Sequence, residues 1–481
     1  MTKPEIDLIA SKSGSVVAPA GCGKTQLIVD SLAANPGLTK PVLILTHTNA
    51  GVAALKNRLN LKGIPKSIYK ISTIDGWAMR LVSMFPMSSL CPKDILEIRN
   101  PNSDYETIRD GALTILSSGV LNDLILSTYS KLLVDEYQDC QESQHLMVLR
   151  ISEIIETCIV GDPLQAIFNF RNNKLINWNK AIEKFPIISE LQTPWRWINA
   201  GANELGEWLI SIRSDLMSGR KIDLSNCPKQ IKWVDLSSSD VYSERLEAAS
   251  LGPVVDGGRI LVIGESTSPA NQQTIASQTP GATTVESAEF KDLIKFSKNF
   301  DPLGGDALSE IAVFCSSFVT NIAPENFLRR VSSLKNGTAR IEASDAESAA
   351  LKFLKEPSLY QASVLLEALS ETKGCRVYRP DIFRTAIDSL QLADQGDVNL
   401  YQAVVHYRDL NRNVGRNINR RSVGSTLLLK GLEADTVVIL HPEKMDSQNL
   451  YVALTRGSNS IVICSNSRYL PVVEWGVDIC K

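Results

Sequence analysis

A glycine-rich turn near the start of the chain has the residues of a phosphate-binding loop. An apolar run, SVVAP (15–19), leads into APAGCGKT (18–25) and then into a helical stretch, with Ala18 where the strict pattern has glycine. Glycines let backbone amides turn towards phosphate oxygens, Lys24 reaches the outer phosphates, and Thr25 offers a hydroxyl to Mg²⁺. The residues expected to bind the nucleotide are Ala20, Gly21, Cys22, Gly23, Lys24, Thr25 and Gln26.

Acidic and amide residues follow two further apolar runs. LLVDE (132–136) ends in Asp135 and Glu136. An acid at the carboxyl end of a buried strand sits where Mg²⁺ lies in a P-loop NTPase, and a second acid beside it can deprotonate the attacking water. We therefore predict that Thr25 and Asp135 bind Mg²⁺ and that Glu136 is the general base.

Gln165 follows another apolar run, TCIVG (157–161). If this strand is a parallel neighbour of the one before Asp135, Gln165 lies near the same cleft. The alternative is that Gln165 belongs to an ordinary turn.

The spacing of the apolar runs predicts the fold class. Seven such runs occur, four before residue 165 and three after residue 255. They are continuous rather than alternating, which indicates parallel strands buried on both faces. The sequence therefore predicts an α/β protein with two parallel-sheet cores and two mainly helical insertions, at about 83–126 and 301–421.

Composition excludes several classes of protein. The 481 residues suffice for about three domains. With 44% hydrophobic and 21% charged residues, the chain is not a disordered protein, and its net charge of −3 excludes a uniformly basic nucleic-acid coat. The nine cysteines form no C-x-x-C pair, which predicts a reducing, cytoplasmic location. No apolar run is long enough for a membrane span.

Seven segments, taken in order along the chain, resemble the motifs of superfamily-one DNA helicases of the UvrD/Rep type. The segments are THTNA (46–50) with Arg58, TIDGW (73–77), DEYQD (135–139), GDPLQAIFNFR (161–171), LQTPWRW (191–197), KGLE (430–433) and YVALTR (451–456).

This resemblance implies two RecA-like cores with ATP and Mg²⁺ bound between them. Residues 1–200 would form the first core, with the small insertion at about 83–126. Residues 201–300 together with 422–481 would form the second core, and residues 301–421 a helical accessory insertion. The resemblance also implies that Glu433 binds the nucleotide.

By the same resemblance, Arg196 and Arg456 point at the γ-phosphate, where a planar guanidinium stabilises charge on the transferred group. The alternative for either arginine is a surface salt bridge. The catalytic candidates are Lys24, Glu136, Gln165, Arg196 and Arg456.

The residues that the resemblance assigns to nucleic-acid binding belong to three of the segments. They are Thr46, His47, Asn49, Arg58, Thr73, Trp77, Phe168 and Phe170. The aromatic side chains would stack on bases, as would Trp195 and Trp197, for which core packing is an equal alternative.

The chain departs from the family pattern in four places. Residues 4–8 lack the glutamine that reads adenine. Leu427 and Leu428 replace the histidine and serine that help to link ATP to DNA, and Pro194-Trp195 replaces an Asn-Tyr pair. Both insertions are compact, whereas full-size enzymes use them to grip and split a duplex.

Within this type, the present chain, with its compact insertions, is similar to the helicase-like subunit of Gabija antiphage defence systems. That subunit acts beside an OLD-family ATPase–nuclease with a Toprim domain. The resemblance implies a DNA-dependent ATPase subunit that acts with a partner nuclease on single-stranded DNA or DNA ends. The alternative is a stand-alone 3′→5′ helicase in repair or recombination. A P-loop kinase or GTPase would not need a second core.

Arginines recur every fourth residue from Arg408 to Arg420, followed by Arg421. On a helix they would form a basic stripe. Such a stripe could contact phosphates, face solvent or meet an acidic partner.

Overall fold

The computed structural model describes residues 5–168, 174–237, 239–413 and 418–472. The chain divides into two compact units. The first comprises Met1–Ile231, Pro442–Asn459 and Ser467–Lys481, and the second comprises Lys232–His441 and Ser460–Asn466.

The first unit contains a parallel sheet, and six strands of the described residues belong to it. They are β1 (Gly14–Val17), β2 (Val42–Thr46), β3 (Tyr69–Thr73), β4 (Lys131–Val134), β5 (Thr157–Gly161) and β6 (Ile187–Glu190). Their order is β3-β2-β4-β5-β1-β6, and every adjacent pair is parallel.

The remaining strands follow residue 220. They are β7 (Ile222–Asp223), β8 (Ile231–Asp235), β9 (Ile260–Ile263), β10 (Ala282–Thr284), β11 (Arg421–Gly424), β12 (Ala434–Ile439), β13 (Gly457–Ser465) and β14 (Tyr469–Leu470). Six of these described strands form a second sheet in the order β10-β11-β9-β12-β13-β8. The pairs β10–β11, β11–β9 and β9–β12 are parallel, whereas β7 and β14 form a small antiparallel pair.

Helices cover both sheets. Those up to residue 220 are α1 (Lys24–Ala34), α2 (Asn49–Leu61), α3 (Ile74–Met84), α4 (Pro86–Ser89), α5 (Pro101–Ser117), α6 (Asn122–Thr128), α7 (Glu142–Ser152), α8 (Trp178–Lys184), α9 (Trp195–Asn199), α10 (Asn203–Ser211) and α11 (Arg213–Met217).

The later helices are α12 (Val241–Ser250), α13 (Pro269–Gln278), α14 (Lys291–Asn299), α15 (Ala307–Ser316), α16 (Pro324–Lys335), α17 (Asp345–Lys355), α18 (Leu359–Ser370), α19 (Pro380–Asp394), α20 (Leu400–Asn413), α21 (Thr426–Leu429) and α22 (Ser447–Leu454). Short 3-10 helices cover Ile95–Glu97, Tyr137–Asp139, Pro163–Gln165, Leu224–Asn226 and Pro442–Lys444.

The first sheet is buried on both faces. Successive residues of a strand point to opposite sides of the sheet, and each side is covered by a hydrophobic cluster. In β2, Leu43 and Leu45 belong to one hydrophobic cluster, whereas Val42 and Ile44 belong to another. This burial explains the continuous apolar runs. The predicted fold class, two RecA-like parallel-sheet cores with helical insertions, is confirmed by the two sheets. The segments 83–126 and 301–421 contain α4–α6 and α15–α20.

The compact units differ from the predicted domains at residues 201–231, 442–459 and 467–472, which were assigned from the sequence to the second core and belong to the first unit. Within this unit, α22 packs against α11 and the turn Pro163–Gln165. The domain boundaries themselves stay a prediction.

The predicted arginine stripe does not continue on one helix. α20 ends at Asn413, and Arg421 begins β11. The Arg421 guanidinium donates to the carbonyls of Ala249 and Leu251, and Arg416 lies outside the described residues.

In the described part of the chain, no single helix is long and apolar enough to cross a bilayer. One bent pair, Ser103–Ser117 with Asn122–Thr128, meets the length and composition criteria only when its two helices are taken together.

A buried arginine joins the helical bundle of the second unit to its sheet. Arg379, which is 4% exposed, contacts Glu286, just after β10, with Nε–Oε1 2.6 Å and Nη2–Oε2 2.9 Å. It also contacts Asp292 of α14 at 2.8 Å and donates to the Ser317 carbonyl at 3.1 Å. These bonds fix α14, α15 and the start of α19 relative to β10.

Replacing Arg379 by methionine should lower the free energy of unfolding of the second unit by about 3 kcal/mol, because it leaves the mostly buried Glu286 carboxylate without its cation. The control is Arg329→Met, which removes an exposed guanidinium bonded to Asn326 and should cost at most about 0.5 kcal/mol. The urea midpoint at unchanged m-value measures both. Equal midpoints for the two variants would contradict this role.

Candidate nucleotide site and nucleic-acid surface

The predicted phosphate-binding loop joins the carboxyl end of β1 to the N-terminus of α1. Gly21 and Gly23 have φ values of 72° and 88°, a left-handed conformation that glycine adopts without strain. The loop therefore turns back on itself before α1 begins at Lys24. This is the arrangement in which backbone amides and the end of a helix can bind phosphate oxygens.

The indole ring of Trp197 packs against the phosphate-binding loop at Gly21. This indole is fully buried, and its Nε1 donates to the Gly457 carbonyl at 2.9 Å. A Cβ atom at Gly21 would lie 2.5 Å from Trp197 Cζ3. The Arg196 amide donates to the Gly21 carbonyl at 3.1 Å. The segment LQTPWRW is thus the packing support of the loop.

The strand order brings the other candidates to the same edge. Because β5 lies between β1 and β4, its carboxyl end separates the phosphate-binding loop from Asp135 and Glu136. The Lys24 Nζ atom is 3.5 Å from Glu136 Oε1. The structure therefore brings Lys24, Asp135, Glu136 and Gln165 together at one edge of the first sheet.

Asp135 is buried and bonded to the backbone of the next residue, since the Glu136 amide donates to its Oδ1 at 2.9 Å. Burial, and next the Glu136 carboxylate, raise the pKa of Asp135 to about 7. A divalent cation would favour its ionised form. The Asp135 carboxylate and the Thr25 hydroxyl are also the kind of oxygen ligands that Mg²⁺ prefers. The donor set therefore fits the predicted Mg²⁺.

Glu136 has a φ of 54°, which is unusual for a residue with a side chain. Its carboxylate accepts a hydrogen bond from Gln138 Nε2 and remains 32% exposed. The Gln138 side chain is buried, and its Oε1 accepts from the Asp162 amide at 3.0 Å. Gln138 therefore fixes the candidate general base relative to the end of β5.

Gln165 is 4% exposed, and its Nε2 donates to Asp162 Oδ2 at 2.8 Å. Asp162 is fully buried and forms a bidentate pair with Arg213, both distances being 2.9 Å. Burial alone would raise the pKa of Asp162, but the Arg213 guanidinium lowers it below its usual range. Gln165 is thus held by an ionised carboxylate.

The two arginines predicted to meet the γ-phosphate both contact the end of α22. The Arg196 guanidinium donates to the Thr455 carbonyl. Arg456 is 3% exposed, and it donates from Nε to the Val452 carbonyl at 2.9 Å and from Nη2 to Thr455 Oγ1 at 3.0 Å. Both are in the first unit. Because Arg456 is buried, it is not the surface residue considered as the alternative.

Trp195, unlike Trp197, is open to solvent. Its side chain is 47% exposed, and a Cβ atom at Gly23 would lie 3.5 Å from its Cδ1. An exposed indole beside a phosphate-binding loop can stack on the base of a nucleotide.

The KGLE segment lies in the second unit. Glu433 is exposed and precedes β12. Leu427 and Leu428 are half-buried in α21, which Ser425 caps by accepting from the Leu428 amide at 3.2 Å.

Among the predicted nucleic-acid residues, His47 and Phe168 lie together, with ring centroids 5.5 Å apart. Both are partly exposed, at the carboxyl ends of β2 and β5. Asn49 and Arg58 are exposed on α2, whereas Phe170 lies outside the described residues.

Two predicted contacts with nucleic acid need correction because the side chains are buried, whereas Thr73 is a helix cap whose contact with nucleic acid stays a prediction. Trp77 is 5% exposed within a hydrophobic cluster, so its ring offers no open face to a base. Thr46 is 1% exposed, and its buried hydroxyl has no hydrogen-bond partner among the residues that the structure describes. The Thr73 hydroxyl caps α3 by accepting from the Gly76 amide at 2.9 Å. In this structure, apolar packing and helix capping account for Trp77 and Thr73.

The fold has two RecA-like parallel-sheet cores, and the first carries the phosphate-binding loop and the acidic residues described above. Residues 97–186 match the family described as the UvrD/REP helicase N-terminal domain. The Gabija protein GajB of Bacillus cereus (strain VD045) is 27% identical over 201 residues, which cover 35% of this chain and 40% of GajB. The RecBCD enzyme subunit RecB of Buchnera aphidicola subsp. Acyrthosiphon pisum (strain APS) is 31% identical over 86 residues, which cover 17% of this chain and 7% of RecB.

The matched part of the chain thus spans less than half the length of either relative. Among solved structures, the Pif1 helicase of Candida albicans has a TM-score of 0.37 and 12% identity, covering 95% of this chain and 92% of its own. Arterivirus nonstructural protein 10, a helicase solved with DNA, has a TM-score of 0.35 and 8% identity, covering 94% of this chain and 61% of its own. The family match and GajB confirm the resemblance to UvrD/Rep helicases and to the Gabija subunit.

The sequence analysis missed Gln138, Arg213 and Tyr451 as members of the site. Gln138 and Tyr451 lie inside recognised segments, so their positions were a usable signal. Arg213 lies in α11, outside all seven segments, and only the fold brings it to Asp162.

Gly21→Ala should weaken ATP binding by at least about tenfold, because the new methyl group must displace Trp197 or the loop. Gly63→Ala is the matched control: its φ is 70°, but a Cβ atom there meets nothing within 4 Å. Both variants pay about 1 kcal/mol for the left-handed conformation. Titration with a fluorescent ATP analogue measures affinity. Equal affinity in the two variants would contradict the packing role of Trp197.

Proposed function

We propose that this protein is a DNA-stimulated ATPase of the UvrD-like helicase type. The observation that carries the proposal is the strand order β1-β5-β4, which supports a common site for the phosphate-binding loop, the DEYQD segment and Gln165. A lysine, two adjacent acids and a glutamine at the carboxyl edge of a parallel sheet are the groups that phosphoryl transfer to water requires.

Each residue has a distinct task in this proposal. Lys24 neutralises the outer phosphates, and a phosphate bound there would compete with Glu136 for its ammonium group. Thr25 and Asp135 would hold Mg²⁺, which supplies charge neutralisation on the phosphate oxygens. Glu136 accepts the proton of the attacking water, and Gln165 helps to position that water.

Arg196 and Arg456 stabilise the charge that develops on the transferred phosphoryl group. Their hydrogen bonds to the end of α22 would have to exchange for phosphate contacts when ATP is hydrolysed. Both arginines should therefore affect turnover more than nucleotide affinity.

Trp195 would stack on the nucleotide base. Stacking does not select among bases, and residues 4–8 lack the family's glutamine. We therefore propose weak selection for adenine over guanine. Glu433 stays a proposed nucleotide contact.

Single-stranded DNA is the proposed activator. The His47–Phe168 pair supports this, since two partly exposed rings whose centroids lie 5.5 Å apart can stack on bases of any sequence. Asn49 and Arg58, exposed on the adjacent helix, would contact the backbone.

We further propose that the chain is the ATPase subunit of an antiphage defence complex. Its partner would be an OLD-family nuclease with a Toprim domain. The similarity to GajB supports it, as do the leucines at 427 and 428, which cannot donate hydrogen bonds to a DNA phosphate. The alternative is a stand-alone 3′→5′ helicase in repair or recombination.

Glu136→Gln should keep ATP bound while turnover falls by about 10²–10⁴-fold, since the shape stays and the base is lost. Lys24→Ala should lose both binding and turnover. Glu142→Gln, the same change at an exposed helix start nearby, is the control and should be active. Affinity and rate are measured on the same preparations. Normal turnover in Glu136→Gln would refute the assignment.

The isolated chain should hydrolyse ATP faster with single-stranded DNA yet displace few strands of a long duplex. His47→Ala/Phe168→Ala should weaken DNA affinity by about 1–3 kcal/mol for each base that loses its stacking partner. Tyr360→Ala, which removes an exposed ring on α18, should leave DNA affinity unchanged.

Co-expression with neighbouring genes, followed by measurement of the size of the product, tests the nuclease complex. A monomer with every neighbour that unwinds long duplexes alone would favour the stand-alone helicase.

A further inference from the structure

A buried ion pair lies directly behind the candidate nucleotide site. The Arg213 side chain is 7% exposed and the Asp162 carboxylate is completely buried. Replacing a buried ion pair by apolar residues is often neutral for stability, so stability alone does not explain its presence. The contacts made by its two members identify what it fixes.

Arg213 also holds the tyrosine of the YVALTR segment. Its Nη1 donates to Tyr451 Oη at 2.7 Å, and its guanidinium carbon lies 5.0 Å from the centre of the Tyr451 ring. The Tyr451 hydroxyl accepts from the Ala20 amide of the phosphate-binding loop at 3.3 Å. One guanidinium therefore connects α22, which Arg456 follows, to the loop.

The other end of the pair leads to the groups that act on water. Asp162 accepts hydrogen bonds from Gln165 Nε2 at 2.8 Å and from the Leu164 amide at 3.2 Å. Its own amide donates to Gln138, which in turn donates to Glu136. The described contacts form one continuous polar network from the candidate general base to the phosphate-binding loop.

We propose that Arg213 is a positioning residue for ATP hydrolysis: it fixes Gln165, α22 and the phosphate-binding loop relative to one another through Asp162 and Tyr451. This inference rests on the proposed ATPase function. In the described part of the chain, the hydrogen bonds of the Arg213 side chain go to Asp162 and Tyr451, so Arg213 acts through these partners. Its bidentate geometry matters, since the same guanidinium must satisfy a carboxylate and a hydroxyl at once.

The test compares variants of the full chain at saturating single-stranded DNA. Arg213→Met should lower kcat by about 10–100-fold, because small displacements of reacting groups have effects of that size, while ATP affinity changes by about threefold at most. Arg213→Lys keeps the charge but not the two-pronged geometry and should be intermediate. Arg220→Met breaks an exposed pair with Asp215 in the same stretch and should leave kcat unchanged.

A double variant separates positioning from folding. Asp162→Asn/Arg213→Met leaves no unpaired buried charge, so its thermal stability should recover relative to Arg213→Met, whereas kcat should stay low. Recovery of kcat together with stability would overturn the proposal, as would a kcat of Arg213→Met within twofold of the unchanged chain. An unchanged chain that hydrolyses no ATP would instead refute the proposed function itself.

Discussion

The order of three parallel strands is the constraint on which the site depends. In a parallel sheet all carboxyl ends meet at one edge, so residues far apart in sequence converge without any dedicated loop. Placing β5 between β1 and β4 adds a second effect. The end of β5 becomes the most enclosed position of the edge, and a charged residue there, Asp162, persists only with a partner such as Arg213.

Most central strands could be predicted from the sequence because both of their faces are buried, whereas β11, which lies between β10 and β9, lacks an apolar run and was not predicted. All seven apolar runs are strands, including β2 and β5 with the predicted bounds. The edge strands β3 and β6 of the first sheet were missed, since most of their side chains are partly or fully exposed and their sequences are mixed. Hydrophobic patterning reports burial, and an edge strand is buried on fewer sides.

For single residues of the site, too, a local sequence pattern predicts position along the chain but not burial or contacts across the fold. Lys24, Asp135, Glu136 and Gln165 were predictable because each lies in the short segment that follows a central strand. Trp77 was assigned to DNA by its segment, yet packing buries it, and the segment alone cannot tell a core ring from an exposed one. Arg213 carries no local pattern, since its role comes from contacts across the fold.

The first compact unit is built from separated stretches of chain, since α22 follows the whole of residues 232–441. During synthesis on the ribosome, which adds about 5–20 residues per second, β1, β4 and β5 emerge well before the helix that carries Tyr451. The Ala20 amide and the Arg213 guanidinium are therefore synthesised many seconds before the Tyr451 hydroxyl to which both bond. A nascent chain in this interval has the phosphate-binding loop but neither Tyr451 nor Arg456. Its ability to hydrolyse ATP would thus be delayed until the second unit has been translated.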